Sequence, residues 1–136
     1  MQAGFQVEDG QAMSNDKTPT LLLIDNDAEF AYLIERYSAS NGWRVVWERA
    51  IPIAEDRWHA ASPTAILLNL LLPGDDGWHF LRELKSRPAT RRIPVAVYSS
   101  VPDEARAQAE GADFYLPQPV LFQDFARILK EMLSLQ

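Results

Sequence analysis

The chain has 136 residues, 47% of them hydrophobic and 24% charged, with no cysteine and a formal net charge of −6. That length holds one domain with a proper core and not two, and the acidic balance argues against a nucleic-acid surface, which needs a basic stripe. The lack of cysteine removes disulfides, thiol catalysis and thiolate metal sites, while saying little about compartment.

Residues 1–18 are polar, carry glycines at positions 4 and 10, and show no useful periodicity, so they are expected to form a mobile leader, with residues 19–136 as the domain. The leader lacks the basic-then-apolar pattern of a signal peptide, and no apolar run in the chain approaches a membrane span. The expected location is cytoplasmic.

The first short apolar run, Thr20–Ile24, ends in Asp25-Asn26-Asp27. A helix follows, with Phe30, Leu33, Ile34 and Tyr37 at the spacing of one buried face and Asn41-Gly42 as its stop. Asn26 with Glu29 three residues later has the form of a capping box, and Asp27 is placed at the same helix start. Residues 43–49 read as an edge strand, and 51–61 as a short helix with a weak apolar stripe. His59 and His79 are expected as surface residues rather than as metal ligands.

Residues 64–77, Thr-Ala-Ile-Leu-Leu-Asn-Leu-Leu-Leu-Pro-Gly-Asp-Asp-Gly, organise the rest. An apolar run this short, closed by turn residues, suits an inner strand of a parallel sheet covered on both faces. Asn69 then stands at the carboxyl end of that strand, the edge at which open α/β sheets place ligands and chemistry. Next comes a helix over 78–87, capped by Asp76, with Phe80, Leu81 and Leu84 inward. A strand over 93–98 ends in Ser99-Ser100. A helix over 102–110 opens with proline and closes at Gly111. The last strand is expected over 112–116 and the last helix over 121–135, with Leu121, Phe122, Phe125, Ile128, Leu129, Met132 and Leu133 on its inner side. Five alternating strands and helices force parallel pairing, with helices on both faces of the sheet.

Leu-Leu-Ile-Asp-Asn-Asp at 22–27, Asn-Leu-Leu-Leu-Pro-Gly-Asp-Asp-Gly at 69–77, Ile-Pro-Val-Ala-Val-Tyr-Ser-Ser at 93–100 and Gly-Ala-Asp-Phe-Tyr-Leu-Pro-Gln-Pro at 111–119 resemble the four signature segments of response regulator receiver domains. The resemblance runs from about Thr20 to the carboxyl end. It implies a three-layer, flavodoxin-like (βα)5 fold with parallel strand order 2-1-3-4-5, and one pocket built from the loops after the first, third, fourth and fifth strands. In the family that pocket holds two acids, a phosphoacceptor aspartate, a threonine or serine, and a lysine.

Carried over position by position, the first acid is Asp25 and the second is Asn26. The phosphoacceptor position is Asn69, the hydroxyl position is Ser99, and the lysine position is Gln118. Ser99 and Tyr115 match the family's switch pair; they either retain a switch answering to another signal, or serve as a loop cap and a surface packing residue. Pro119 matches a family proline that usually follows a cis bond, so Gln118–Pro119 is expected to be cis.

Receiver phosphorylation is attack of a carboxylate on phosphorus with Mg²⁺ bridging the oxygens, and an amide oxygen is a poor nucleophile. With Asn26 and Asn69 in place of acids, Mg²⁺ binding is expected to be weak or absent. Asn69 and Gln118, both neutral, are expected to pair by hydrogen bonding, replacing an attraction between opposite charges. Three mutually compatible changes read as native to a receiver without phosphoryl chemistry rather than as engineering.

The expected function is a single-domain atypical receiver, or pseudo-receiver, in two-component-type signal transduction. It would act without catalysis as a phosphorylation-independent protein-interaction module, a monomer or weak homodimer that binds neither nucleic acid nor membrane. The resemblance places the partner surface on the helix at 102–110, the strand at 112–116 and the helix at 121–135, with Arg106, Gln108, Phe114, Tyr115 and Arg127 as exposed contacts. A conventional Mg²⁺-dependent receiver and a small-ligand sensor are the alternatives. A DNA-binding output domain is not expected in a chain of this length, unless it is a fragment of a longer protein.

Overall fold

The computed structural model describes residues 17–51 and 62–136. Most of the expected leader, and the helix expected over 51–61 with its His59, lie outside them. The described elements are β1 (Thr20–Ile24), α1 (Ala28–Ala39), β2 (Arg44–Glu48), β3 (Ala65–Asn69), α2 (Gly77–Ser86), β4 (Val95–Tyr98), α3 (Glu104–Ala109), β5 (Phe114–Tyr115) and α4 (Phe122–Ser134).

Unbroken apolar runs suit strands that are covered on both faces, and β1, β3 and β4 carry such runs. All five residues of β1 and all four of β4 are buried. β1 pairs in parallel with β2 on one side (Leu22↔Val46) and β3 on the other (Leu22↔Ile66). β3 then pairs with β4 (Asn69↔Tyr98) and β4 with β5 (Val97↔Tyr115), all parallel. The sheet order is β2-β1-β3-β4-β5, the flavodoxin-like order 2-1-3-4-5 expected from the sequence.

Alternation along each strand divides the core in two. Leu21, Leu23, Ala65, Leu67, Ala96 and Tyr98 face α1 and α4, where they meet Ile34, Phe125, Ile128 and Met132. Leu22, Ile24, Ile66, Leu68, Val95 and Val97 face the opposite way and meet Phe80, Leu81 and Leu84 of α2 and Ala107 of α3.

The structure corrects several expected details. The cap of α1 is Asp27, whose carboxylate accepts from the backbone N–H groups of Glu29 and Phe30. Asn26 is exposed and forms no capping box; a carboxylate one residue later meets the positive end of the helix with a charge as well as a lone pair. The buried stripe of α1 centres on Ala31, Ile34 and Ser38, with Phe30, Leu33 and Tyr37 half-buried beside it. Asp103 has φ −130° and ψ 37°, so α3 begins after it and Pro102 lies outside the helix. On α4, Phe125, Ile128, Leu129 and Met132 are buried, while Leu121, Phe122 and Leu133 are exposed, because a straight helix turns only one narrow stripe inward. Asp76 caps α2 as expected, accepting from His79 N–H, and His79 is exposed, 3.2 Å from Glu83.

Gly77 fixes how α2 leaves the sheet edge. A Cβ there would stand 2.5 Å from the carbonyl oxygen of Leu70 and 2.9 Å from its carbonyl carbon, both backbone atoms that cannot swing aside. Gly77→Ala is therefore expected to cost about 1–3 kcal/mol by overpacking. Urea unfolding measures it, and an unchanged midpoint would contradict the close approach.

Candidate functional site

The carboxyl ends of β1, β3 and β4 bring Asp25, Asn69 and Ser99 to one edge of the sheet, because parallel strands all point the same way. Asp25 directly follows β1 and is only 3% exposed. Its backbone is held by β2 at both polar groups: its N–H donates to the carbonyl of Glu48 at 3.1 Å, and its carbonyl accepts from Trp47 Nε1 at 2.7 Å.

Three donors converge on the Asp25 carboxylate. Oδ1 accepts from Asp27 N–H at 3.2 Å and from Asn69 Nδ2 at 3.2 Å. Oδ2 accepts from the hydroxyl of Tyr98. Because a carboxylate only accepts, the Asn69 amide must turn its nitrogen toward Asp25. Its oxygen then faces its own loop, where it accepts from Leu71 N–H at 2.9 Å.

Tyr98 is the participant that the sequence reading missed. It is 1% exposed, stands opposite Asn69 in the β3–β4 register, and packs its ring on Phe30 with centroids 4.8 Å apart. Burial, then the hydrogen bond to Asp25 and the charges of Asp25 and Asp27, push the phenol far above the ordinary tyrosine range. It is a neutral donor at any physiological pH. A signal was present in the sequence: a tyrosine in register with inward-facing Ala96 at the end of an inner strand needs a buried partner for its hydroxyl.

The remaining pocket positions are arranged separately. Ser99 is 4% exposed, and its Oγ accepts from Val101 N–H at 3.1 Å, a local loop contact. Tyr115 is half-buried; its hydroxyl donates to the Val101 carbonyl at 3.1 Å and accepts from Asp103 N–H at 3.5 Å. Both switch positions are thus tied to the β4–α3 loop. Gln118 is exposed, and the Gln118–Pro119 bond is cis. The expected Asn69–Gln118 pair is not formed: the amide of Asn69 bonds Asp25 and Leu71 instead, since a buried carboxylate is a stronger acceptor than a neutral amide. Among the described residues, no group of three or more His, Cys, Asp or Glu could hold a metal ion.

The surface expected to meet a partner is also altered in detail. Arg106, Gln108 and Arg127 are exposed. Arg106 lies over the Trp78 ring at 4.0 Å and so leans toward α2. Arg127 bridges Asp124 and Glu131 at 3.7 and 3.4 Å along its own helix. Phe114 and Tyr115 are half-buried, packed against the two halves of the core, rather than exposed.

The response regulator receiver domain family matches residues 21–130. The chain is 30% identical, over an alignment 139 positions long, to "Probable methanogenesis regulatory protein FilR2" of Methanothrix harundinacea, covering 94% of this chain and 90% of that protein. It is 28% identical to the phosphate regulon transcriptional regulatory protein PhoB of Escherichia coli, over 73% of this chain but 44% of that one. The chain thus spans about half or less of PhoB and of PetR from Rhodobacter capsulatus, of which 45% is covered. Among solved structures, the signal receiver domain of a DNA binding response regulator from Colwellia psychrerythraea superimposes with a TM-score of 0.77 at 25% identity, over 85% of this chain and 98% of that one. Fold, strand-end geometry and matched residues agree: the chain belongs to the response regulator receiver domain family.

Proposed function

We propose that this receiver domain works in two-component-type signalling as a phosphorylation-independent protein-interaction module, with no catalysis and no resident Mg²⁺. The observation that carries this reading is the state of Asp25, the one carboxylate at the matched acid positions: both of its oxygens already accept hydrogen bonds from within the chain.

Magnesium requires near-octahedral oxygen ligands and gives up its water reluctantly. Asn26 is exposed and uncharged, and the Asn69 oxygen is engaged by Leu71 N–H, so the residues do not fit the ion. The Asn69 amide has no charged oxygen for attack on phosphorus. What remains is the outer surface formed by α3, β5 and α4, where Arg106, Gln108 and Arg127 offer exposed polar contacts.

Incubation with acetyl phosphate and Mg²⁺, followed by intact-mass measurement, is expected to return the unmodified mass. A stoichiometric phosphate adduct would make the domain a conventional phospho-accepting receiver and overturn this reading.

A further inference from the structure

The amides at positions 26 and 69 are not the whole reason for the pocket's state. Restoring an acid at position 69 would take the amide donor away from Oδ1 but leave Oδ2 committed to a phenol. That phenol has little freedom to leave. Tyr98 is 1% exposed, its ring is flanked by Phe30, and its strand is paired on both sides, to β3 and β5. A buried hydroxyl without its acceptor would also be left unsatisfied, so the ring and the acid hold each other in place.

We infer that Tyr98 is a lock on Asp25: its buried hydroxyl draws the carboxylate toward the α1 face of the sheet, so that the acid is withheld from divalent cations independently of the amides. This rests on the reading above, and extends it by naming a positioning residue that closes the pocket from beneath. Tyr98→Phe removes the lock and little else, because the ring and its packing on Phe30 remain.

The test compares four proteins: wild type, N69D, Y98F and N69D/Y98F. The probe is Tb³⁺, whose luminescence would be sensitised by Trp47, since that indole donates to the backbone carbonyl of Asp25. Competition with Mg²⁺ follows. Wild type is expected to be silent and N69D to bind weakly. N69D/Y98F is expected to bind at least about tenfold more tightly than N69D, a shift of roughly 1.4 kcal/mol.

Equal affinities of N69D and N69D/Y98F, with a silent wild type, would overturn the lock and leave the proposed function standing. A wild-type chain that binds as tightly as the double variant would overturn both. Should the double variant fail to fold, proton NMR of the wild type decides: a slowly exchanging Tyr98 hydroxyl proton, unmoved by added Mg²⁺, supports the lock. Its absence, or its loss on adding Mg²⁺, overturns it.

Discussion

Phe125→Ala is expected to lower the stability of the domain by about 3–5 kcal/mol, the usual cost of deleting a buried aromatic ring. The ring is 0% exposed, in the first turn of α4, and belongs to the core half that includes Leu21, Leu23, Ile34 and Trp43. Its neighbours come from strands and from α1 as well as from its own helix, so no single side chain can fill the void. The loss therefore combines a transfer term with a cavity term. Phe122, three residues earlier, supplies the internal control. It is 42% exposed and meets the Tyr37 ring edge-on at 5.0 Å, so Phe122→Ala should cost no more than about 1 kcal/mol, mostly the aromatic pair. Urea unfolding of both variants gives the comparison, and equal losses would contradict the assignment of α4's inner stripe.

Tyr98→Phe is expected to cost roughly 1.5–3 kcal/mol at neutral pH, the range for a hydrogen bond to a charged acceptor, and to change the response to alkali. The sign follows from the direction of the shift. Burial and the neighbouring Asp25 and Asp27 raise the Tyr98 pKa in the folded state, whereas in the unfolded chain it titrates near the ordinary value of about 10. Above that pH the unfolded state has released a proton that the folded state keeps, so stability is full below about pH 10 and falls as pH rises, by about 1.4 kcal/mol per unit. Phenylalanine has no proton to lose. The difference between wild type and Y98F should therefore shrink, and then reverse, as pH climbs past about 10. Unfolding free energies at several alkaline pH values test this, and parallel curves would show that the phenol is not held neutral in the folded state.

The helix starts illustrate how far local sequence carries. Asp76 was legible as a cap, and Asp27 was placed at the right helix start, because a capping carboxylate interacts with backbone only two or three residues away. The choice between Asn26 and Asp27 was not legible, since both are good caps and the position of the first helical turn depends on how β1 docks on its neighbours. The inner stripe of α4 is narrower than its apolar residues suggest, for a similar reason. Leu121, Phe122 and Leu133 are apolar, and hydrophobicity alone does not say which edge of a stripe a neighbouring helix reaches.

What the sequence by itself determined is the fold and the meeting of Asp25, Asn69 and Ser99 at one sheet edge: short apolar runs ending in these residues, alternating with helical periodicities, admit few arrangements other than a parallel sheet. Only the tertiary structure decided which groups in that pocket touch. Asn69 and Tyr98 stand 29 positions apart in the chain and meet through the β3–β4 register, while Tyr98 reaches Asp25 across a separation of 73 positions. The reason is that side chains meet at a sheet edge through strand order and register, which here set β1 and β4 on either side of β3, and through which acceptor carries charge, and none of these is written locally. For the same reason Asn69 turns to a buried carboxylate rather than to Gln118, although both amides were visible from the beginning.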